Sequence, residues 1–406
     1  MDQIAEKYVH LTLAVGQHDA NYVDAYYGPA EWKAEVERQQ TSLPEIREKA
    51  LEARSALDDS PPDGLDEMSS LRWNCLAKQL EGLIARVDML SGANMSFDEE
   101  SSRLYDVVDP GRPDSFYEAV LADLQPALPG TGSIGERFDR FRSLFNIPKD
   151  KLGEVFKASI EAARDRTKQH IDMPANENFS IEYVAGEVWG AYNWYKGNAH
   201  SLIQVNTDFP ITIDRALHLA CHEGYPGHHV YNALLEKHLA KDRKWVEFTV
   251  YALYSPQSLI AEGTAEYGVE LSFPKEERQE FERAILYPLA GLDSAQAVEY
   301  ARVRALMDRL GYASNDAAKR YLDGQTTRKE TIDWLATFTL STPERAEQRV
   351  RFIEAHRSYV VTYNLGLDLV RAYVDANAAT QEDRWALFTK LLSTPQTPSN
   401  LRMASS

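Results

Sequence analysis

Residues 221–229 read CHEGYPGHH, so His222, Glu223, His228 and His229 crowd into one short stretch. Imidazole nitrogens and carboxylate oxygens are the ligands that zinc takes. His222-Glu223 opens like the zinc-peptidase pattern in which a second histidine follows one helical turn later and the glutamate is the general base. Here the fourth place after His222 is Pro226. On an unbroken helix His228 would lie roughly 9 Å along the axis and on another face, and His229 roughly 10 Å away on the same face. Two ligands of one zinc ion need their nitrogens within about 4 Å, so an intact helix joins His222 to neither. The sequence supplies a break. Gly224 and Gly227 tolerate unusual dihedrals, and Pro226 cannot donate to the carbonyl of His222 and clashes with it in a regular helix. If two residues loop out, His228 takes the place of the missing histidine, and the pattern reads as HExxH with an insertion. His218 and His222, an i, i+4 pair, could also bind a metal, but that pairing leaves the breaker without a purpose.

A third ligand is expected from a following helix. SPQSLIAEGTAEYGVEL (255–271) has Ser255 as cap and Pro256 at the first helical position. Glu262, Glu266 and Glu270 then fall on one stripe. A solvated acidic face is the plain reading of such a stripe. Gly263 and Ala265 flank it, however, and small residues let another helix come close. We take Glu262 as the ligand and Glu266 as the carboxylate that orients a histidine's far nitrogen. His229 is an alternative ligand or a donor behind the ligands. Two histidines and one carboxylate leave an open coordination position, which marks a catalytic rather than a structural zinc.

The elements that must carry these groups are mostly helical. DRALHLACHE reads as helix leading into the motif. Residues 69–92, 152–171 and 294–311 have apolar positions near a 3.6-residue period, and 342–374 reads as one long helix with Thr342 as cap and Pro343 at its first position. Residues 178–207 differ. They are rich in aromatic and β-branched residues and read as a small antiparallel sheet, with SLIQVNT (201–207) its clearest strand. Turn-rich breaks fall at 58–66, 108–114 and 128–133, and the tail 399–406 reads as frayed. The fold class is therefore mainly α, a large helical bundle with a small antiparallel β-sheet beside the metal-site helix. Residues 1–130 are expected as an N-terminal helical subdomain and 131–406 as the catalytic region, the two possibly forming one continuous domain.

The chain has 406 residues, 44% hydrophobic and 26% charged, which is ordinary for a globular protein. Its net charge of −18 argues against nucleic acid or an anionic membrane as the main partner. Two distant cysteines, Cys75 and Cys221, form no metal-binding pair. The first residues show neither a basic segment nor a long apolar run, so a cytoplasmic location is the expectation.

HEGYPGHH, preceded by VNT (205–207) and followed by EGTAEYG (262–268), resembles a bacterial family of uncharacterised proteins with an HExxxGHH signature. That family is itself similar to the glutamate-ligand zinc metallopeptidases of helical fold, such as angiotensin-converting enzyme and the thermostable carboxypeptidases, which implies a zincin-like fold. HDANYVDAYYGP (18–29) and YVVTYNLG (359–366) also look like family segments, so the resemblance spans most of the chain. It implies His222, a histidine of the Gly-His-His and Glu262 as zinc ligands, and Glu223 as catalytic base. It points to Tyr363 near the C-terminus. VRALMDRLG (303–311) resembles a further stretch but lacks the histidine that should follow, which leaves Arg304 without a role.

The expected function is a zinc-dependent hydrolase of short peptides, with Zn2+ as cofactor. Glu223 would take a proton from water and deliver it to the leaving amine. Tyr363 is the first candidate to donate to the oxyanion, followed by Tyr359 and Arg357. The strand SLIQVNT could pair with an extended substrate, with Asn206 holding a backbone group. One alternative is a zinc hydrolase or cyclase acting on an amide of a specialised small molecule. Another is a non-haem iron enzyme, since two histidines and a carboxylate also suit Fe(II); Glu223, a base with no part in oxygen chemistry, argues against it. A scaffold that kept the fold and lost catalysis is a third.

Overall fold

The computed structural model describes residues 1–57 and 61–404. Residues 58–60, part of the break at 58–66, and the last two residues of the tail lie outside the described residues.

Helices dominate, as the apolar periodicity requires. Glu67–Leu90 is capped by the Asp66 side chain, which accepts from the Ser69 N–H, and the chain leaves it through Gly92 at φ +94°. The left-handed conformation there suits glycine. Among the described residues five strands accompany the helices. β1 (Val23–Tyr26) pairs antiparallel with β5 (Val250–Ala252). β2 (Asn178–Val184), β3 (Ala191–Gly197) and β4 (His200–Asn206) form the second sheet in the order β2-β4-β3. β3 and β4 make the antiparallel hairpin that the sequence suggests, and β2 adds to the far side of β4 in parallel.

Among the described residues two apolar cores hold the elements together. The first joins Tyr8, Val9 and Leu80 of the N-terminal helices to Leu253, Leu335 and Val360. The second joins Phe141, Val155, Leu217 and Val230 to Val370 and Phe388. The helix Pro256–Ser272 is buried along almost its whole length and adds side chains to both. A helix packed on every side sits in the middle of a fold, and this one carries Glu262 and Glu266.

Two expectations need correction. The long helix expected over 342–374 is broken: Pro343–His356 ends at Arg357, whose φ is +53°, and a short 3-10 turn leads into Val361–Asn377. The cause is Glu100, a buried carboxylate that accepts from the Ser358 N–H, from Ser358 Oγ and from Arg357 Nε. Satisfying a buried charge outweighs continuing the helix. The tail is not frayed through 404, because Pro398–Ala404 is helical, Leu401 is buried and Ser399 N–H donates to Asp106.

Candidate metal centre

The motif is built from three local conformations. Ile213–Leu219 is α-helix, and Ala220–Gly224 continues as one wide π turn. The chain then leaves the axis through a cis Tyr225–Pro226 bond and restarts as helix at His228. Gly227 makes the return possible: its N–H donates to the Cys221 carbonyl at 3.0 Å, and a Cβ there would stand 1.9 Å from the His222 carbonyl oxygen. The rings of His222 and His228 thereby come to 4.7 Å between centroids, at 90° to each other.

Glu262 completes the cluster. Its Oε2 lies 3.2 Å from His222 Nε2 and 3.6 Å from His228 Nε2, yet it is buried and makes no hydrogen bond. Ligand atoms at about 2.0–2.1 Å from a tetrahedral ion stand roughly 3.3–3.4 Å apart, so the three donors have the spacing and chemistry that a zinc ion takes. An unsatisfied buried carboxylate oxygen is costly, and a cation at this point would satisfy it. Burial works to raise the Glu262 pKa, but the neighbouring His228 and His222 hold it down at about 2.

The groups behind these three side chains are specific as well. Tyr359 Oη donates to Glu262 Oε1 at 2.7 Å, which fixes the carboxylate and leaves Oε2 free. Glu266 Oε1 faces His222 Nδ1 at 3.3 Å. Its Oε2 meets His218 Nε2 at 2.9 Å, and Arg215 Nη1 donates to His218 Nδ1 at 2.8 Å. Because a guanidinium only donates, His218 must accept at Nδ1 and give its Nε2–H to Glu266. Burial, despite the pull of Glu266, lowers the His218 pKa to about 4, so this ring is neutral near pH 7.

Glu223 and Tyr363 border the cluster, lining a cavity of about 460 Å³ with His222, His228 and Glu262. Burial raises the Glu223 carboxyl above its ordinary range, against the opposing pull of His222 and His228. The Tyr363 ring lies 6.5 Å from the His222 ring.

Three of the expected site residues are turned elsewhere. His229 is fully buried: Nδ1 meets Ser201 Oγ at 2.9 Å and Nε2 meets Glu177 Oε2 at 3.2 Å. Glu177, which also binds the Tyr225 hydroxyl, Arg164 and Lys168, anchors the bulge from behind, and no nitrogen of His229 is left for the cluster. Asn206 spends its side-chain N–H groups on the Glu187 and Trp189 carbonyls and its Oδ1 on the Asp208 N–H. Arg357 is committed to Glu100, outside the metal cavity. Strand addition to SLIQVNT is also closed, because β4 is the central strand with both edges paired. Arg304 pairs with Asp214 at 3.2 Å and Glu282 at 3.3 Å, and so braces the first turn of Ile213–Leu219.

Other cavity residues gave no local signal. Asp24 of β1 accepts from the Tyr192 hydroxyl, and burial raises its pKa to about 6. It sits in the quoted 18–29 segment, but nothing there singles it out. Four arginines, Arg142, Arg215, Arg345 and Arg349, also line the cavity. They come from three distant parts of the chain.

Compared by sequence, the chain matches no protein-family profile and no curated protein. Compared by structure, it is similar to the putative lipoprotein from Colwellia psychrerythraea, with a TM-score of 0.54 and 13% identity over 89% of this chain. The match spans 66% of that longer chain, just under two thirds. The M32 carboxypeptidase from Deinococcus radiodurans R1 aligns at a TM-score of 0.38 and 13% identity, over 100% of this chain and 93% of that one. The first likeness is one of fold. The second is too distant to support an argument, so the family resemblance rests on the motif residues. Among the described residues no helix is long and apolar enough to cross a membrane.

Proposed function

We propose that the chain is a zinc-dependent hydrolase that cleaves peptide bonds of short peptides, with His222, His228 and Glu262 as ligands. One observation carries the reading: two imidazole nitrogens converge on a buried, unpartnered carboxylate oxygen, beside a second carboxylate, Glu223, in the same cavity. A bound zinc ion would supply Lewis acidity and a water acidified to a pKa of about 7.

The chain's own groups do the rest. Glu223 accepts a proton and returns it to the leaving amine, and its raised pKa suits both tasks. Tyr363 donates to the oxygen that becomes negative; burial, joined by Glu262, raises its pKa well above the ordinary value and keeps the proton on that hydroxyl. Glu266 and Tyr359 hold the ligands in orientation.

The strand that can align a substrate is β3 rather than β4. Asn206 N–H donates to the Gly190 carbonyl, which makes 190/206 a hydrogen-bonded pair. Antiparallel pairs alternate, so with Ala191 opposite Val205 and Asn193 opposite Ile203 these two residues turn their N–H and C=O groups away from β4. Both residues line the cavity, and an extended peptide could pair there.

The test is Glu223→Gln against a mixture of short peptides. The variant should bind one zinc per chain and release no product, while His222→Ala and Glu262→Ala should bind none. Hydrolysis by Glu223→Gln at the parent rate refutes the base, and full zinc occupancy in both ligand variants refutes the ligand set. Elemental analysis showing iron in place of zinc would replace the metal.

A further inference from the structure

Arg142, Arg215, Arg345 and Arg349 line the metal cavity, and among the described residues none of them forms an ion pair. That is unusual in a chain of net charge −18 with many carboxylates available. Arg215 donates to His218 Nδ1 at 2.8 Å. Arg345 donates to the Pro210 carbonyl at 3.3 Å and lies over the Phe209 ring. Arg349 donates to Ser314 Oγ at 3.1 Å and lies over the Phe352 ring. Arg345 and Arg349 stand one turn apart on Pro343–His356, so their guanidinium groups leave the same face.

Their placement is graded. Arg349 lines the metal chamber only, whereas Arg142, Arg215 and Arg345 also line a second chamber of about 760 Å³ that adjoins it. Three of the arginines are therefore shared by the two chambers, and Arg349 belongs to the metal side alone. Burial and the neighbouring Arg142 lower the Arg345 pKa to about 10, with Asp139 too weak to offset them, and burial lowers that of Arg349. Such a set is short of negative charge.

One carboxylate is satisfied by one guanidinium fork. Four forks shared between two adjoining chambers suit two separated carboxylates better than one compact oxyanion. Taking the peptidase reading as given, we propose that the substrate's C-terminal residue is acidic, an Asp or Glu whose α-carboxylate and side-chain carboxylate are both held by these arginines on the leaving-group side of the cleaved bond.

Binding to the full-length chain tests this without turnover. The probes are N-acetylglutamate with two carboxylates, N-acetylglutamine with one, N-acetylglutamine amide with none, and inorganic phosphate, each measured by calorimetry with and without zinc. N-acetylglutamate should bind at least about tenfold more tightly than N-acetylglutamine, and the amide should be weaker again. Arg345→Gln and Arg349→Gln should each remove at least about tenfold of the N-acetylglutamate affinity. Both should stay folded, because each loses one hydrogen bond and one ring contact but no ion pair. Arg351→Gln, exposed on the same helix, should leave binding unchanged. Equal binding of the first two probes, or tighter binding of phosphate, overturns the proposal. So does an Arg345→Gln and Arg349→Gln pair that folds and still binds N-acetylglutamate at parent affinity. Selective dicarboxylate binding without hydrolysis of any acidic-ended peptide would keep the anion site and sink the peptidase reading. Hydrolysis without that selectivity would do the reverse.

Discussion

Gly263→Ala should loosen the metal centre through a helix crossing that touches no metal. Gly263, next to Glu262, lies against Gly366 of Val361–Asn377. A Cβ on Gly263 would stand 2.4 Å from both the carbonyl carbon and the oxygen of Gly366, where ordinary contact begins at 3.4 Å. The shortfall is about 1 Å, and the obstacle is backbone, so rotamer changes cannot relieve it. The two helices must separate. Alanine adds about 1 kcal/mol of intrinsic helix stability over glycine, while overpacking of this kind costs about 1–3 kcal/mol. The net expectation is a loss of about 0–2 kcal/mol, against the gain of about 1 kcal/mol that alanine brings in an open helix position. The same displacement stretches the 2.7 Å contact between Tyr359, just ahead of Val361–Asn377, and Glu262 beyond hydrogen-bonding distance. Loss of such a supporting contact lowers metal affinity about 10–100-fold. Urea denaturation of the metal-free chain gives the first quantity and chelator competition for zinc the second. Gly153→Ala, in a helix and with nothing within 4 Å of the new Cβ, is the control and should be neutral or stabilising. If Gly263→Ala is as stable as Gly153→Ala and binds zinc as the parent does, the close crossing does not position Glu262.

The other expectations follow from single contacts. Tyr359→Phe removes the hydroxyl that holds Glu262 Oε1, and zinc affinity should fall about tenfold or more with little change in melting temperature, as read by chelator competition and calorimetry. Gly227→Ala places a Cβ on the His222 carbonyl and should abolish stoichiometric zinc binding, checked by elemental analysis of the folded fraction. His356 is held neutral: burial, assisted by the Arg86 charge, lowers its pKa from 6.5 to about 4. Between these values the unfolded chain binds more protons than the folded one, so the contribution is complete above pH 6.5 and is lost as pH falls toward 4. His356→Gln should make the fall in melting temperature across that range shallower, and an unchanged slope would refute the assignment.

Much of the centre was legible in the chain. The spacing of His222 and His228, with Pro226 and two glycines between them, made a break necessary if both were to hold one ion, because helical rise and turn are fixed. The four-residue step from Glu262 to Glu266 put both carboxylates on one face for the same reason. Local chain geometry determines such features, and residues close in sequence are enough to read it. The rest was settled by packing between distant segments. Nothing near His229 indicates that Glu177, some fifty residues earlier, would claim its ring, nor that β2 would cover the far edge of β4. Glu100 breaks a helix that the periodicity of 342–374 would have continued, and this break sets Tyr359 and Tyr363 beside Glu262. The four arginines come from segments that only the folded chain brings to one cavity. A buried charge must find its partner in space, and spacing along the sequence carries no record of that search.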